Sequence, residues 1–552
     1  MGIRKKIRVT FLFLFSFSIY VWADVSSVSG VEFQSSFSSS VAVEICHALE
    51  NANPSSQTGV QSDMTSTSEV LRLFYKRSQC SPVWSHEQSI DADAILLVYA
   101  LRDSQYEGLN SYDPRYHLES LIVLLNSIQS DVAAKNNPKV FAQLDILLSD
   151  AYFMLGKDLY YGLTPRNMVT DQWKRDPKKS LNLALYLENA LENNTVDESI
   201  KELSPSASGY KALQNLLMKY YKLQETGGWK EVASSDTPEE IKERLRIEWY
   251  LSPDENSEEE YIDALKNFQK HHGIKSDGVI GIETLSKMNI SVEEKILSIR
   301  LNMERWRWMP SEMENSYISV DIPDFSLRVV ENNETLLQMK AVVGKDERPT
   351  PIFNAMMSYI VINPYWNVPP TIVREDLVPA VRKSIDYLKK NNIRIFKNGN
   401  NAEKNEIDPS SVDWKRINAN ASPYVFRQDS GEKNPLGRIK FIFPNPYDVY
   451  IHDTPHKHLF ERKERNFSSG CIRIEEPVKL ATYLLNREVN AFEDRNVSAL
   501  IAANKNKTIP LAKKIKVYIN YWTVWVDDEG NAEFRGDLYG YDGALAEILG
   551  WR

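Results

Sequence analysis

The spacing of apolar residues changes once along the chain, and this change constrains the fold more than any other feature. Between residues 67 and 250, apolar side chains recur three and four positions apart, as at Leu144, Leu148 and Leu155, which is helical spacing. From about residue 316 they alternate with polar residues or form short β-branched runs, as in YISVDIP and MMSYIVINP, which is typical of strands. We therefore predict a helical region followed by a mainly β domain.

The predicted fold class is α+β, with several domains in series, as expected for 552 residues. Changes of composition and period mark the boundaries. The segments are a leader at 1–23, a flexible Ser-rich linker at 24–66, a helical scaffold at 67–250, a small helical module at 251–290, a mainly β domain at 316–510 with an insertion at about 373–435, and C-terminal strands at 511–552. The C-terminal strands are expected to complete either the scaffold or the β domain.

The first 23 residues have the anatomy of a secretory signal peptide. Arg4, Lys5 and Arg8 precede an apolar run over residues 11–22, and a small residue, Ala23, ends the segment at a plausible cleavage site. An uncleaved N-terminal anchor is the alternative. No other stretch approaches the length of a membrane span, so contact with a membrane is expected only through this segment. The mature chain is therefore predicted to act outside the cytosol.

Composition excludes several classes of partner and site. The 66 Lys and Arg residues against 75 Asp and Glu residues leave a net charge of −9, which argues against a nucleic-acid binder. Three cysteines are too few for a disulfide scaffold or a four-Cys zinc site, and one of them must be unpaired. Cys46 and Cys80 could pair in an oxidising compartment, but flexible sequence lies beside Cys46, so we expect them not to be bonded.

The third cysteine, Cys471, has neighbours that suit a nucleophile. It lies in NFSSGCIRI, where Ser468 and Ser469 provide a small polar approach and Gly470 permits unusual backbone geometry. If the segment is extended, Arg473 lies on the same face as Cys471. A fixed positive charge there would favour the thiolate and could hold a carboxylate. An inert buried thiol would require an apolar neighbourhood, which this segment does not supply.

A thiol nucleophile needs a base, and His452 is the best candidate. It ends an apolar strand in DVYIHDTPHKH, whereas His456 and His458 follow in a polar loop. Histidines at these spacings can bind zinc, but the segment contains Pro455 and has no helix signal. We therefore expect a base and no metal, and we expect no cofactor.

These residues resemble the catalytic motif of the YkuD-type L,D-transpeptidases. The resemblance rests on His452, the spacing to Cys471 and the Ser-Ser-Gly-Cys-Ile-Arg core. The usual motif has histidine immediately before Gly-Cys, where this chain has Ser469, as do the larger Gram-negative members. Segments 363–372, 427–441 and 451–473 match that large subgroup, and residues 252–289 resemble a peptidoglycan-binding module.

The resemblance implies a cell-wall enzyme of the periplasm. Cys471 would attack a tetrapeptide stem at its third residue, releasing D-alanine, and the amine of a second stem would resolve the thioester into a 3-3 cross-link. His452 would be the base, held by a nearby backbone carbonyl, and the N–H groups of Gly470 and Cys471 would stabilise the oxyanion. The expected substrate-binding residues are Arg473, Tyr450, Ser468, Ser469 and Trp366.

The same resemblance implies partners and a lid. The partners are peptidoglycan stem peptides and glycan strands, with other wall-synthesis enzymes as further partners. The insertion at about 373–435 would be a capping subdomain that excludes water from the thioester, unless it is a plain surface insertion. Two other functions stay open. One is an L,D-carboxypeptidase or another cell-wall cysteine peptidase that uses water as the acceptor. The other is a wall-binding protein without catalysis.

Overall fold

The structure, a computed structural model, describes residues 36–51, 67–397, 405–417, 423–487 and 496–552. The predicted signal peptide at 1–23 and most of the predicted linker lie outside these ranges. None of the helices within them is long and apolar enough to span a membrane. The two architectures predicted from the apolar spacing are both present, in the predicted order, so the α+β multidomain class is confirmed.

The N-terminal region is a helical layer packed around one central helix. Its helices are α1 (Phe37–Asn51), α2 (Thr67–Arg77), α3 (Ala92–Asp103), α4 (Leu118–Ser130), α5 (Val132–Lys135), α6 (Pro138–Tyr161), α7 (Leu183–Asn193) and α8 (Val196–Leu203), with a short hairpin of β1 (Ser85–His86) and β2 (Ser89–Ile90). The next helices along the chain, α9 (Ser208–Glu225) and α10 (Pro238–Ile247), belong to two other cores. Buried side chains lie all around α6, which is therefore the central helix of the core. Asp145 of α6 is buried as well, and its carboxylate accepts the N–H groups of Val83 and Trp84.

Part of the predicted linker is folded. In α1, Val41 and Ile45 are fully buried in the scaffold core, and Phe37 packs edge-on against Phe141 of α6. Cys46 of the same helix forms a disulfide with Cys80. The expectations of a flexible segment and of two free thiols are therefore wrong here. A short apolar piece near Val41–Leu49 interrupts the Ser-rich segment, and in the structure it lies in a helix whose two buried apolar residues are four positions apart.

Removal of this disulfide should destabilise the helical region. The bridge joins residues separated by 34 positions, and a cross-link of that span restricts the unfolded chain. Replacing Cys46 and Cys80 together by serine should lower the free energy of unfolding by about 2–4 kcal/mol. Urea unfolding followed by circular dichroism measures this loss, and an unchanged midpoint would contradict it. Thiol titration of the denatured, unreduced chain should find Cys471 alone.

The small module has three helices, α10, α11 (Glu258–His271) and α12 (Ile282–Met288), with a shared core that includes Leu245, Phe268 and Met288. Each of the first two begins with a capping box, in which a Ser or Thr side chain and a Glu side chain satisfy each other's backbone N–H. The predicted boundary at 251 was too late, because α11 and α12 bury their apolar faces only when α10 covers them. α13 (Val292–Arg307) then leads into the β domain.

The β domain is built on a nine-stranded sheet that closes on itself. Its strands are β3 (Ser316–Asp321), β4 (Ser326–Glu331), β5 (Glu334–Gly344), β6 (Asn354–Ile362), β11 (Ile439–Ile442), β12 (Ile451–His452), β13 (Asn466–Ser468), β14 (Ile472–Ile474) and β15 (Lys507–Asn520). The order is β13-β5-β14-β12-β11-β6-β15-β3-β4, and β4 also pairs with β5. Closure leaves few free edges and surrounds an apolar core. The short β12 and β14 are adjacent and parallel.

The insertion between β6 and β11 is a subdomain with its own core, which we call the cap. It contains β7 (Trp366–Asn367), α14 (Pro370–Ile372), a π-helical turn (Val373–Leu377), α15 (Val378–Lys383), α16 (Asp386–Lys390), β8 (Ile393–Lys397), β9 (Glu406–Ile407) and β10 (Tyr424–Gln428). Its sheet has the order β7-β10-β8-β9. The cap begins before the predicted residue 373, because β7 pairs with β10 and so belongs to the cap sheet.

The C-terminal residues contribute to both parts of the molecule. β15 runs past the predicted boundary at 510 and pairs with β6 and β3 of the closed sheet. Two of the predicted C-terminal strands, β16 (Val524–Val526) and β17 (Ala532–Phe534), form a hairpin that packs on α9 and α13. The remaining helices are α17 (Pro477–Asn486), α18 (Val497–Ala502) and α19 (Tyr541–Ile548). The two alternatives for this segment are therefore both realised, in different residues.

Candidate active site

The neighbouring strands β12 and β14 bring four of the predicted site residues together. β12 and β14 are paired with His452 opposite Arg473. Tyr450 and Cys471 each lie two residues earlier, just before these strands, and the Ile472 N–H donates to the Tyr450 carbonyl, which extends the pairing by one residue. Side chains two apart on extended backbone share a face. All four side chains therefore lie on one face of the sheet. The Tyr450 and His452 rings are 5.6 Å apart between centroids. His452 and Cys471 are 19 positions apart in the sequence, and the pairing of β12 with β14 brings them close together.

The residue after His452 sets the orientation of its ring. His452 is buried, and its Nδ1–H donates to the backbone carbonyl of Asp453 at 2.5 Å. A carbonyl can only accept, so this bond selects the tautomer that leaves the lone pair on Nε2. Nε2 is therefore the atom that can take a proton. The backbone carbonyl that the family resemblance implied near His452 corresponds to that of Asp453.

Asp453 is itself held firmly. One carboxylate oxygen accepts the Arg438 N–H at 2.7 Å, and the other accepts the Thr454 N–H and the Lys457 ammonium, each at 2.7 Å. Gly437 lies so close that a Cβ there would stand 2.3 Å from the carboxylate. These contacts fix the Asp453 backbone and hence the carbonyl that holds the imidazole.

Burial determines the protonation state of the candidate pair. Burial lowers the pKa of His452 to about 3, and the Arg473 cation adds to this effect. Cys471 is half-buried by area, yet its thiol lies among closely packed atoms, and this desolvation raises its pKa. Tyr450, Lys440 and Arg473 all lower the pKa of the thiol, but by less. The resting pair is thus a neutral thiol and a neutral imidazole. The expectation that Arg473 favours a thiolate has the correct sign, but burial outweighs it.

Lys440 was not identified from the sequence. It lies on β11 opposite His452, and its ammonium stands over the Tyr450 ring, 3.6 Å from the centroid. Such a cation–π contact holds a charge near the thiol, and Lys440 lowers the pKa of Cys471 more than Arg473 does. A lysine between apolar residues in GRIKFIF was the available signal. Nothing in the sequence shows that β11 pairs with β12.

Tyr450 and Trp366 connect the thiol to the cap. Burial raises the pKa of Tyr450 well above its ordinary value, and its contact with Cys471 raises it further. A hydrogen bond between the Trp366 and Tyr450 side chains acts in the opposite direction. Because Trp366 belongs to the cap strand β7, the cap contacts Tyr450, which in turn contacts Cys471.

The turn before Cys471 is braced from within. Ser468 is buried, and its hydroxyl donates to the Cys471 carbonyl at 2.5 Å and accepts the Gly470 N–H at 3.1 Å. Gly470 has a φ of 105°, a conformation that favours glycine. The Thr350 hydroxyl donates to the Gly470 carbonyl at 3.0 Å and so joins this turn to the segment after β5.

The hydrogen bonds of this turn bear on the predicted roles of Ser468 and Gly470. The Ser468 hydroxyl makes two hydrogen bonds within the turn, so in this conformation it supports the backbone beside Cys471. The Gly470 N–H is bonded to Ser468 and is not available to an oxyanion in this conformation. The Cys471 N–H makes no hydrogen bond to any residue that the structure describes, and it is therefore the candidate oxyanion donor.

Arg473 retains an unused donor. Its guanidinium Nε is buried and has no hydrogen-bond partner in the described part of the chain. An unpaired cationic donor beside the thiol fits the predicted contact with a carboxylate. His456 and His458 lie 5.9 Å apart between ring centroids. Within the described ranges they form no group with other side chains that could hold a metal ion.

Arg348 links the turn of residues 468–471 to the cap. Its Nη1 donates to the exposed Ser469 hydroxyl at 2.9 Å, its Nη2 pairs with Glu375, and Asp376 lies 3.8 Å from Nη1. Glu375 and Asp376 belong to the π-helical turn of the cap. One side chain thus bridges the predicted site residue Ser469 and the lid. The sequence did not indicate this contact, because the three segments are far apart along the chain.

The Arg348 bridge should hold the cap closed. Arg348→Gln removes a charge-assisted contact, and we expect the amides of residues 373–383 to exchange about fivefold faster, which corresponds to about 1 kcal/mol. Hydrogen exchange with mass spectrometry measures this rate. Arg374→Gln is the matched control, because Arg374 also pairs with Glu375 but does not contact the turn of residues 468–471. Equal exchange in both variants would contradict the bridging role.

Comparison with protein families matches three parts of the chain. Residues 315–510 match the YkuD family, described as "L,D-transpeptidase catalytic domain". Residues 69–217 match a family described as "Scaffold domain". Residues 234–288 match a family described as "Putative peptidoglycan binding domain". The last match includes the whole of α10, in agreement with the three-helix core.

The chain is also similar in sequence to an individual protein whose name contains the same activity. A Haemophilus influenzae protein named "Putative L,D-transpeptidase" is 36% identical over 252 residues, which cover 45% of this chain and 49% of that protein. The chain thus matches about half the length of that relative. A solved structure, "Structure of the Ldtfm-avibactam carbamoyl enzyme", is 12% identical and covers 39% of this chain and 51% of that one. Its TM-score is 0.18, which supports no structural argument.

Proposed function

Because the chain carries a YkuD-type L,D-transpeptidase catalytic domain, with a scaffold domain and a peptidoglycan-binding domain before it, we propose that it forms 3-3 cross-links in peptidoglycan. The observation that carries this proposal is the placement of Cys471 and His452 on adjacent strands, with the His452 ring held by the Asp453 carbonyl. This arrangement suits acyl transfer by a thiol with an oriented base.

In the acylation step, the Cys471 sulfur attacks the carbonyl between the third residue of a tetrapeptide stem and its terminal D-alanine. The thiol proton passes to His452 Nε2 as the carbon–sulfur bond forms, because neither group is charged at rest. The negative charge that develops on the carbonyl oxygen is stabilised by the Cys471 N–H. Collapse breaks the amide bond, and the imidazolium returns the proton to the departing D-alanine amine.

In the second step, the side-chain amine of an acceptor stem attacks the thioester. His452 takes a proton from that amine, the new amide forms, and the sulfur leaves and is reprotonated. The unpaired Nε of Arg473 supports a contact with a stem carboxylate. Trp366 and Tyr450 would line the donor stem, and the closed cap would keep water from the thioester.

We also propose that the mature chain works in the periplasm. The predicted signal peptide and the Cys46–Cys80 disulfide support this location, since disulfides persist in oxidising compartments. The proposed partners are the stem peptides and glycan strands of peptidoglycan, with other wall-synthesis enzymes as further partners. The module of α10, α11 and α12 would bind the wall.

Mass spectrometry of the mature chain with a disaccharide-tetrapeptide tests the proposal. We expect a tripeptide acyl adduct on Cys471, released D-alanine and a dimeric product. Tripeptide monomer without dimer would show an L,D-carboxypeptidase. Binding to sacculi with neither adduct nor product would show a wall-binding protein without catalysis, and either result would overturn cross-linking.

A further inference from the structure

Three metal-ligating side chains meet where the small module contacts the C-terminal hairpin. His271 is the last residue of α11, Asp527 follows β16 and Glu533 lies in β17. One ligand atom from each residue lies within 4.8 Å of the other two. His271 and Glu533 are buried and Asp527 is half-buried. The cluster joins residues from two parts of the chain and lies outside the Cys471 site.

The histidine has no evident structural role in this cluster. Its Nδ1 is buried and has no hydrogen-bond partner among the residues that the structure describes. Its Nε2 lies 4.0 Å from a Glu533 carboxylate oxygen, which is too far for a hydrogen bond. A buried imidazole without a partner is costly unless something absent from the described chain satisfies it.

The surrounding charges leave ligand atoms available. One Asp527 oxygen accepts the N–H groups of Glu529 and Asn531 and shapes the hairpin turn, and the other contacts only the Asn531 amide, at 3.2 Å. One Glu533 oxygen lies 2.8 Å from the Arg535 guanidinium, which leaves the other for a cation. Arg535 is the competing positive charge.

The effect of Arg535 is shared, because its Nε also donates to Asp324 at 2.9 Å. Arg535 therefore forms ion pairs with both Asp324 and Glu533, and it forms none with Asp527 among the described residues. One imidazole nitrogen and two carboxylate oxygens form a donor set that suits zinc and similar borderline divalent cations. Ligands on tetrahedral zinc stand about 3.4 Å apart, so the cluster would contract slightly around the ion.

We propose that His271, Asp527 and Glu533 bind a zinc ion that connects the small module to the hairpin of β16 and β17. The hairpin packs on α9 and α13, so the ion would fix the module to the helical region and the β domain together. The sequence motifs predicted no metal site, because no two of these ligands have a recognisable spacing. This proposal does not depend on cross-linking activity.

Zinc titration by calorimetry tests the proposal on the mature chain treated with chelator. Cys471→Ala is the background, since a free thiol is itself a zinc ligand. We expect one zinc per chain and a higher melting temperature with zinc. Asp527→Asn should weaken binding at least tenfold, because asparagine can retain the hydrogen bonds of the turn but lacks the charge.

Asp528→Asn is the matched control, because Asp528 is exposed in the same turn and outside the cluster. We expect its affinity for zinc to stay within twofold of the background chain. His271→Gln should abolish both the binding and the rise in melting temperature. An absence of zinc binding would overturn the assignment, and so would binding that Asp527→Asn leaves intact. Neither readout measures cross-linking, so failure of one proposal is distinguishable from failure of the other.

Discussion

Replacing Cys471 with serine is expected to lower the rate of dimer formation by at least about 10³-fold, since loss of a nucleophile removes the covalent route. The substitution changes one atom, so the effect comes from chemistry. A base whose pKa has been lowered to about 3 can assist a thiol, but it is too weak to activate a serine hydroxyl. Chromatography and mass spectrometry of the disaccharide-tetrapeptide reaction measure the rate.

The serine variant should fold and bind normally. The Cys471 thiol contacts Tyr450 and makes a weak contact of 4.0 Å with the Asp448 carbonyl. A serine hydroxyl can donate and accept hydrogen bonds in the same place, so we expect little loss of stability. Its melting temperature and its binding to sacculi should match those of the unmodified chain. Dimer formation above about one hundredth of the original rate would contradict the assignment of Cys471 as the nucleophile.

Replacing His452 with asparagine should slow acylation by about 10²- to 10⁴-fold. The asparagine amide can still donate to the Asp453 carbonyl, so this variant keeps much of the local geometry and loses the base. His458→Asn is the matched control, because His458 is exposed in the following loop. We expect the control to keep its activity. Pre-steady-state mass spectrometry of the Cys471 adduct measures the acylation rate.

The unmodified chain and the His452→Asn variant should also differ in the pH dependence of acylation. With His452 present, the base is neutral above about pH 3, so the acylation rate should fall only as the pH drops through that value. Without it, only the thiolate reacts, and burial holds the thiol pKa above its ordinary value. The variant's rate should therefore rise about tenfold per pH unit between pH 5 and 8. A flat profile in the variant would mean that another group is the base.

Local patterns in the sequence predicted the elements of the fold. The helical region, the small helical module and the β-strands follow from the spacing of apolar residues, which reflects short-range structure. Segment boundaries were less accurate. The module needs α10, and the cap needs β7, because each element is stabilised by a partner that lies outside the segment in which the pattern is visible.

The sequence by itself identified the proposed reacting groups, Cys471 and His452, because their identities and flanking residues form a local motif. Only the tertiary structure decided what surrounds them. It placed Lys440 and Arg348 at the site, used Ser468 and the Gly470 N–H within the turn, and paired Cys46 with Cys80.

The same distinction explains the protonation states and the proposed zinc site. Side-chain types indicate which groups can titrate or bind a metal, whereas pKa depends on the burial of each group and coordination depends on distances between segments. Arg473 lowers the pKa of Cys471, as its charge predicts, but desolvation in the folded chain is the larger effect. His271, Asp527 and Glu533 become neighbours only when the hairpin packs beside α11.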